Sequence, residues 1–251
     1  MLSTPDSVKS EPYMGKTKSI LIIAARWLFI LCLPLMLFTA VIGIAINSQW
    51  LYEYGFDKYD VGQTTGLEDS ELEKAADGLM SYFNSSEELI DLTVTKNGES
   101  FTLFNEREVA HLKDVKGLVW LDYRVLLATG SYVLLYAVVS LCWLVDECRR
   151  RLAKAAVIGG GVTLGLIGAL GLAAVVDFDN LFLQFHLISF ANDLWLLDPS
   201  KDYLIMLFPQ GFWYDAAIIV TLATAGLAVV VGGLAVGYLL YRRRQGIRES
   251  I

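Results

Sequence analysis

Reactive side chains are scarce in this chain, which holds two histidines and three cysteines in 251 residues. Cys32 and Cys142 fall inside long apolar runs and Cys148 at the end of one, so none suits an external disulfide or a thiolate cluster, and small apolar packing accounts for all three. HExxH, CxxC and His-x-His spacings are missing, which weakens a metal site. The GxSxG turn that presents a nucleophilic serine is also missing. Ser189, three residues after His186, fits a Ser-His-Asp triad only through a spacing that is common by chance. Basic residues are few in the segments between apolar runs: 47–118 carries 6 Lys and Arg against 15 Asp and Glu, and 177–215 carries 1 against 6. The net charge of −7 sits there, and an acidic surface argues against nucleic acid as a partner. No charge lies deep in an apolar run, so an ion pathway lacks its usual markers.

Hydrophobic sequence is what the chain has in excess. Such residues make up 55% of it and the mean hydropathy is +0.50, values of an integral membrane protein. Four runs, 20–46, 119–145, 155–176 and 216–241, are long enough to cross about 30 Å of hydrocarbon at ~1.5 Å per residue. The first is longer than a signal peptide's apolar core and is expected to stay as a span. Leu31-Cys32 lacks the small residue that precedes a lipid-modified cysteine, so the chain is not expected to be a lipoprotein itself.

Positive charge sets the expected orientation. Lys9, Lys16, Lys18 and Arg26 flank the first span, Arg149, Arg150, Arg151 and Lys154 fill the turn at 146–154, and Arg242, Arg243, Arg244 and Arg248 follow the fourth. Both termini (1–19 and 242–251) and that turn are therefore expected in the cytoplasm, with 47–118 and 177–215 outside. The fold class that follows is a mainly α membrane protein. Four transmembrane helices carry a small α+β extracytoplasmic domain between spans one and two and an interfacial helical segment between spans three and four.

Within 47–118, Trp50, Tyr52, Tyr54, Phe56 and Tyr59 read as headgroup anchors, and 70–84 has the apolar spacing of an amphipathic helix. LTVTKNGESFTL at 92–103 predicts a hairpin, because a type I′ turn needs positive φ at both central residues and Asn97-Gly98 supplies it. A lone hairpin is marginal in water, so it is expected to lean on the preceding helix. Asn105 as N-cap with Glu108 three residues on forms a capping box, so a helix is expected to start there and run into span two. Span one carries Pro34 near its middle, where a kink is expected. In span three Gly161, Gly165, Gly168 and Gly171, and in span four Gly233 and Gly237, mark faces where backbones can approach closely. From Leu181 to Leu197 the chain is apolar but interrupted, and is expected to form one or two short helices in the interface, with His186, Ser189 and Asp193 on one face.

The histidines are the candidate chemistry. His111 lies one turn after Glu108 and one turn before Asp114, with Arg107 four residues back, and both His111 and His186 are expected at the depth of lipid esters. Three readings fit the residues. One is acyl chemistry on a lipid, with His111 activated by Asp114 or Glu108 and His186 donating a proton or stabilising an oxyanion. The second is a metal site of His111, His186 and carboxylates. The third is a non-enzymatic receptor or assembly factor whose outer domain binds a protein.

Phe104-Asn105-Glu106-Arg107-Glu108 running into His111-Leu112-Lys113-Asp114-Val115, followed by Phe185-His186, Phe190, Asn192-Asp193, Trp195 and Asp198-Pro199, resembles the lipoprotein intramolecular transacylases and their four-span relatives. The likeness extends over nearly the whole chain. It implies a bacterial cell-membrane acyltransferase that moves an acyl chain from the sn-2 ester of a diacylglyceryl-modified cysteine to that cysteine's α-amine, leaving a lyso-form lipoprotein. Diacylglyceryl lipoproteins and membrane lipid would be the partners, and neither a metal nor a cofactor is implied. His111 and His186 would be catalytic, with Glu108, Asp114, Asn192, Asp193 and Trp195 in support. His111, oriented by Asp114 or Glu108, would take the amine proton while His186, with Asn192 or Asp193, serves the ester; the two roles could be swapped.

Overall fold

Eleven elements form in the computed structural model, which describes residues 11–142 and 146–248, with side chains from 20 to 142 and from 146 to 245. They are α1 (Glu11–Ile46), α2 (Gln49–Lys58), α3 (Val61–Thr65), α4 (Asp69–Asn84), β1 (Thr93–Lys96), β2 (Glu99–Thr102), α5 (Glu106–Cys142), α6 (Asp146–Val176), α7 (Phe178–Ser189), α8 (Tyr203–Leu207) and α9 (Gln210–Arg248). The four long helices α1, α5, α6 and α9 contain stretches long and apolar enough to cross a membrane. The protein is thus a multi-pass membrane protein with a small α+β head.

In the bundle α1 touches each of the other three long helices, and α6 packs most extensively on α9. Phe29, Ile30, Leu33 and Leu37 of α1 meet Val133, Ala155, Ala156 and Ala228 there. α1 is one unbroken helix through Pro34 and already helical from Glu11, while 1–10 lie outside the described residues. The glycines that bring backbones together are not those singled out above, Gly171 excepted. A Cβ on Gly160 would stand 3.2 Å from the Ala228 carbonyl oxygen, and one on Gly171 2.9 Å from the Thr221 methyl. Gly161, Gly165, Gly168, Gly233 and Gly237 face no neighbour. Ala156, Gly160, Thr163, Ile167, Gly171 and Ala174 recur at helical spacing, and that stripe is the one α6 buries.

The head has its own core. Leu72, Ala75, Ala76, Leu79 and Phe83 of α4 pack with Val94, Leu103, Phe104, Leu112 and the Leu204–Phe212 stretch. The hairpin forms as its turn demands: Asn97 and Gly98 have φ of 55° and 81°, and Lys96 pairs with Glu99. It leans on α4, where Glu71 accepts a 2.9 Å bond from the Thr95 N–H. Tyr52 and Phe56 correct the expectation of headgroup anchors: 49–58 is helical and buries both rings against Phe208. Trp50, on the other face, is exposed.

Candidate active site

α5 starts on the expected capping box. The Asn105 side-chain oxygen accepts from the Arg107 and Glu108 N–H groups at 3.0 and 3.1 Å, and Glu108 returns a bond to the Asn105 N–H at 2.8 Å. The second Glu108 oxygen accepts from the Leu204 N–H at 2.6 Å, tying α8 to α5. Burial pushes its carboxyl above the usual carboxylate range, partly offset by the N–H groups of Leu204 and Asn105. Glu108 is a brace between elements, and none of its bonds reaches His111.

His111 follows on the same helix, above the apolar part of α5. Its ring is buried, edge-on to Phe190 at 5.0 Å between centroids, and among the described residues its Nδ1 has no hydrogen-bond partner. Burial, reinforced by the His186 imidazole and opposed by Asp114, pulls it from 6.5 to about 4. It is therefore neutral at pH 7.

His186 comes from α7. Its Nδ1 stands 2.7 Å from the Phe182 carbonyl oxygen, which can only accept, so the proton of the neutral ring sits on Nδ1 and Nε2 carries the lone pair. Phe182, Trp195, Phe185 and Phe190 surround the ring at 4.4, 4.8, 5.2 and 5.7 Å between centroids. Burial lowers its pKa, and the bond to Phe182 works the other way. The two imidazoles face each other at 6.4 Å with planes 28° apart. At that spacing one small group can reach both.

The loop after α7 is strapped across His111. Asn192 donates to Asp114 at 2.9 Å, and the Arg107 guanidinium donates to the carbonyls of Asp193 and Leu194 at 2.5 and 3.3 Å. Asp202 accepts from Asn105 at 2.9 Å and from the Asp198 N–H at 2.7 Å, closing the base of the loop. The shared face expected for His186, Ser189 and Asp193 does not exist: α7 stops at Ser189 because Phe190 is extended (φ −125°, ψ 133°), so Asp193 lies in the loop. Asp114 is bonded to Asn192 and not to His111.

Arg107, Asp202 and Phe182 hold the site together without having been assigned to it by sequence. In the sequence Arg107 is only a neighbour of His111, and its carbonyl partners depend on the path of a loop no local pattern describes. Among the described residues no three His, Cys, Asp or Glu side chains gather as metal ligands. Leu187 and Ile188, which follow His186 on α7, are exposed apolar residues. Two neutral rings, one with its tautomer fixed, in an aromatic cage can pass a proton and donate a hydrogen bond to an acyl group.

Comparison with known proteins bears on the family and the fold. The family model of the lipoprotein intramolecular transacylase Lit matches residues 27–213. An in meso structure of Lit from Bacillus cereus superposes with a TM-score of 0.73 at 20% identity, covering 90% of this chain and 99% of that one. A variant of that protein with a histidine replaced by arginine gives 0.74 at 20%, covering 94% and 100%. An uncharacterised protein of Aquifex aeolicus is 27% identical over 136 residues, 54% of this chain and 57% of its own length.

Proposed function

The chain belongs to the lipoprotein intramolecular transacylase family, and from that premise we propose that it is an acyltransferase acting on diacylglyceryl-modified lipoproteins. It moves the sn-2 acyl chain to the cysteine α-amine. The observation that carries this reading is the His111–His186 pair facing across 6.4 Å.

The reaction joins the acyl carbon to the amine nitrogen, breaks the glycerol ester C–O bond, and carries one proton from nitrogen to oxygen. His186 is the base, since its Nε2 lone pair is free and the Phe182 carbonyl would steady the imidazolium. The same ring returns the proton to the departing glycerol oxygen. His111, kept neutral by burial, donates to the oxyanion of the tetrahedral intermediate and so relieves its own unpartnered position. Nucleophile and ester share one molecule, so no acyl-enzyme is needed, and orientation replaces a bimolecular encounter.

The acyl chains lie along α7 and the bundle. The polypeptide leaves through a polar cleft of about 390 Å³ lined by Asn105, Arg107, Leu196, Asp198, Lys201 and Asp202, on the far side of the loop. Both termini are cytoplasmic and the site faces the extracytoplasmic leaflet. The acidic head supports this orientation, as do Arg149–Arg151, which lie not in the turn expected at 146–154 but in the first turns of α6.

Free-amine labelling of lipoproteins from cells with and without the gene tests the reading. Labelling of the N-terminal cysteine is expected to fall when the gene is present; equal labelling would favour a receptor or assembly role.

A further inference from the structure

A second cavity, mostly apolar but edged by two guanidiniums and a phenol, lies at the opposite end of the bundle. Arg26 of α1, Tyr136 of α5 and Arg151 of α6 converge, with Ile22 and Ile23, on a space of about 310 Å³. Arg26 is 20 residues before the head end of α1 at Ile46, roughly 30 Å along a helix. It is remote from both histidines and takes no part in acyl transfer.

The Arg26 Nε is buried and has no hydrogen-bond partner among the described residues. A buried donor without an acceptor is destabilising unless something supplies one. Arg151 binds Glu147 through its Nε at 3.0 Å, which leaves the terminal nitrogens of its fork for another acceptor. The other nearby acid, Asp146, is held by Arg242. Arg149, Arg150 and Lys154 add positive charge around the same helix end.

Two guanidiniums and a phenol around one cavity match the oxygens of a phosphate. Ile22 and Ile23 are about half exposed on the lipid side of α1, so the space is continuous with the region that acyl chains occupy. We propose that Arg26, Arg151 and Tyr136 form a binding site for the phosphate of an anionic phospholipid in the leaflet at this end of the bundle. Basic pockets between transmembrane helices are suited to such headgroups.

The test is native mass spectrometry of the purified full chain titrated with phosphatidylglycerol, with phosphatidylcholine and inorganic phosphate as separate arms. One phosphatidylglycerol is expected to be retained in preference to phosphatidylcholine. Arg26→Gln and Arg151→Gln should each weaken it by roughly fivefold, as removal of one positive charge near a headgroup implies. Arg26→Lys, which keeps the charge but not the fork, should fall between. Acyl transfer should persist in all three variants and certifies their fold, and Arg151→Gln serves if Arg26→Gln does not fold. Equal retention of the two lipids, or full retention by the Gln variants, overturns the proposal. So does displacement of the lipid by inorganic phosphate at matching concentration, which would make the site one for a free anion.

Discussion

The Asn192 amide donates a 2.9 Å hydrogen bond to Asp114 across 78 positions of sequence. With the Arg107 bonds to the Asp193 and Leu194 carbonyls, it fixes the loop to α5 on both sides of His111, one turn before it and one turn after. The loop carries Trp195 against His186, so the strap also sets the second imidazole.

Arg107→Ala should therefore reduce kcat/KM by about tenfold or more, the scale of a charge-assisted hydrogen bond. Arg107→Lys should recover only part, because lysine cannot reach two carbonyls with one planar fork. The pH profile should not move, since Arg107 acts through the loop. Steady-state kinetics of both variants across pH checks this.

Glu108 accepts one bond from each of two backbone N–H groups at the junction of α5 and α8. Glu108→Ala would leave the buried Leu204 N–H unpaired, at about 1–3 kcal/mol, and the part-buried Asn105 N–H at less. Thermal unfolding in detergent should show a clear loss of Tm, and activity should fall with it. Glu108→Gln, which keeps one acceptor oxygen, should lose less.

Proton linkage separates His111 from Glu108. The folded pKa of His111 lies near 4, below its ordinary 6.5, so between those values the unfolded chain binds a proton that the folded chain does not. Stability contributed by His111 is then full above pH 6.5 and falls as pH drops towards 4. Glu108 has the opposite sign: its folded pKa is raised above 4.5, so its contribution is present below that value and is lost as pH rises through the folded pKa. Melting at pH 7 and pH 5 should show a larger acid-induced loss for the native chain than for His111→Ala. Catalysis moves in the same direction, with the acid limb of kcat/KM set by the enzyme lying below pH 6.5.

Gly160 sets the approach of α6 to α9. Gly160→Leu must push the Ala228 backbone away, and unlike a flexible side chain that carbonyl cannot swing aside. A large loss of Tm is expected, whereas Gly161→Leu, on an open face, should be close to neutral.

Much of this architecture was legible in the sequence because single residues decide it. Long apolar runs leave no alternative to spans, Asn97-Gly98 dictates a hairpin, and the Asn105/Glu108 pair starts α5 where expected. The scarcity of histidine directed attention to His111 and His186, and the fold brings them together. What could not be read depends on which face a residue presents. Glycine recurs all around α6, so its packed stripe was misassigned, and Tyr52 and Phe56 look like headgroup anchors until Phe208 and Phe212 arrive from 150 residues away. Asp193 was placed on a helix that ends four residues earlier, because nothing local marks Phe190 as extended.

The central claim is that two imidazoles from α5 and α7 move one proton from amine to ester. Its most direct test incubates the purified chain with a diacylated lipopeptide and locates the acyl group by mass fragmentation. The account predicts acyl on the cysteine α-amine and a free glycerol hydroxyl. It predicts a loss of about a hundredfold to ten-thousandfold in His186→Ala and in His111→Ala, with the double variant little worse than the poorer single one. Absence of migration in the native chain, or migration at an undiminished rate in the double variant, would contradict it.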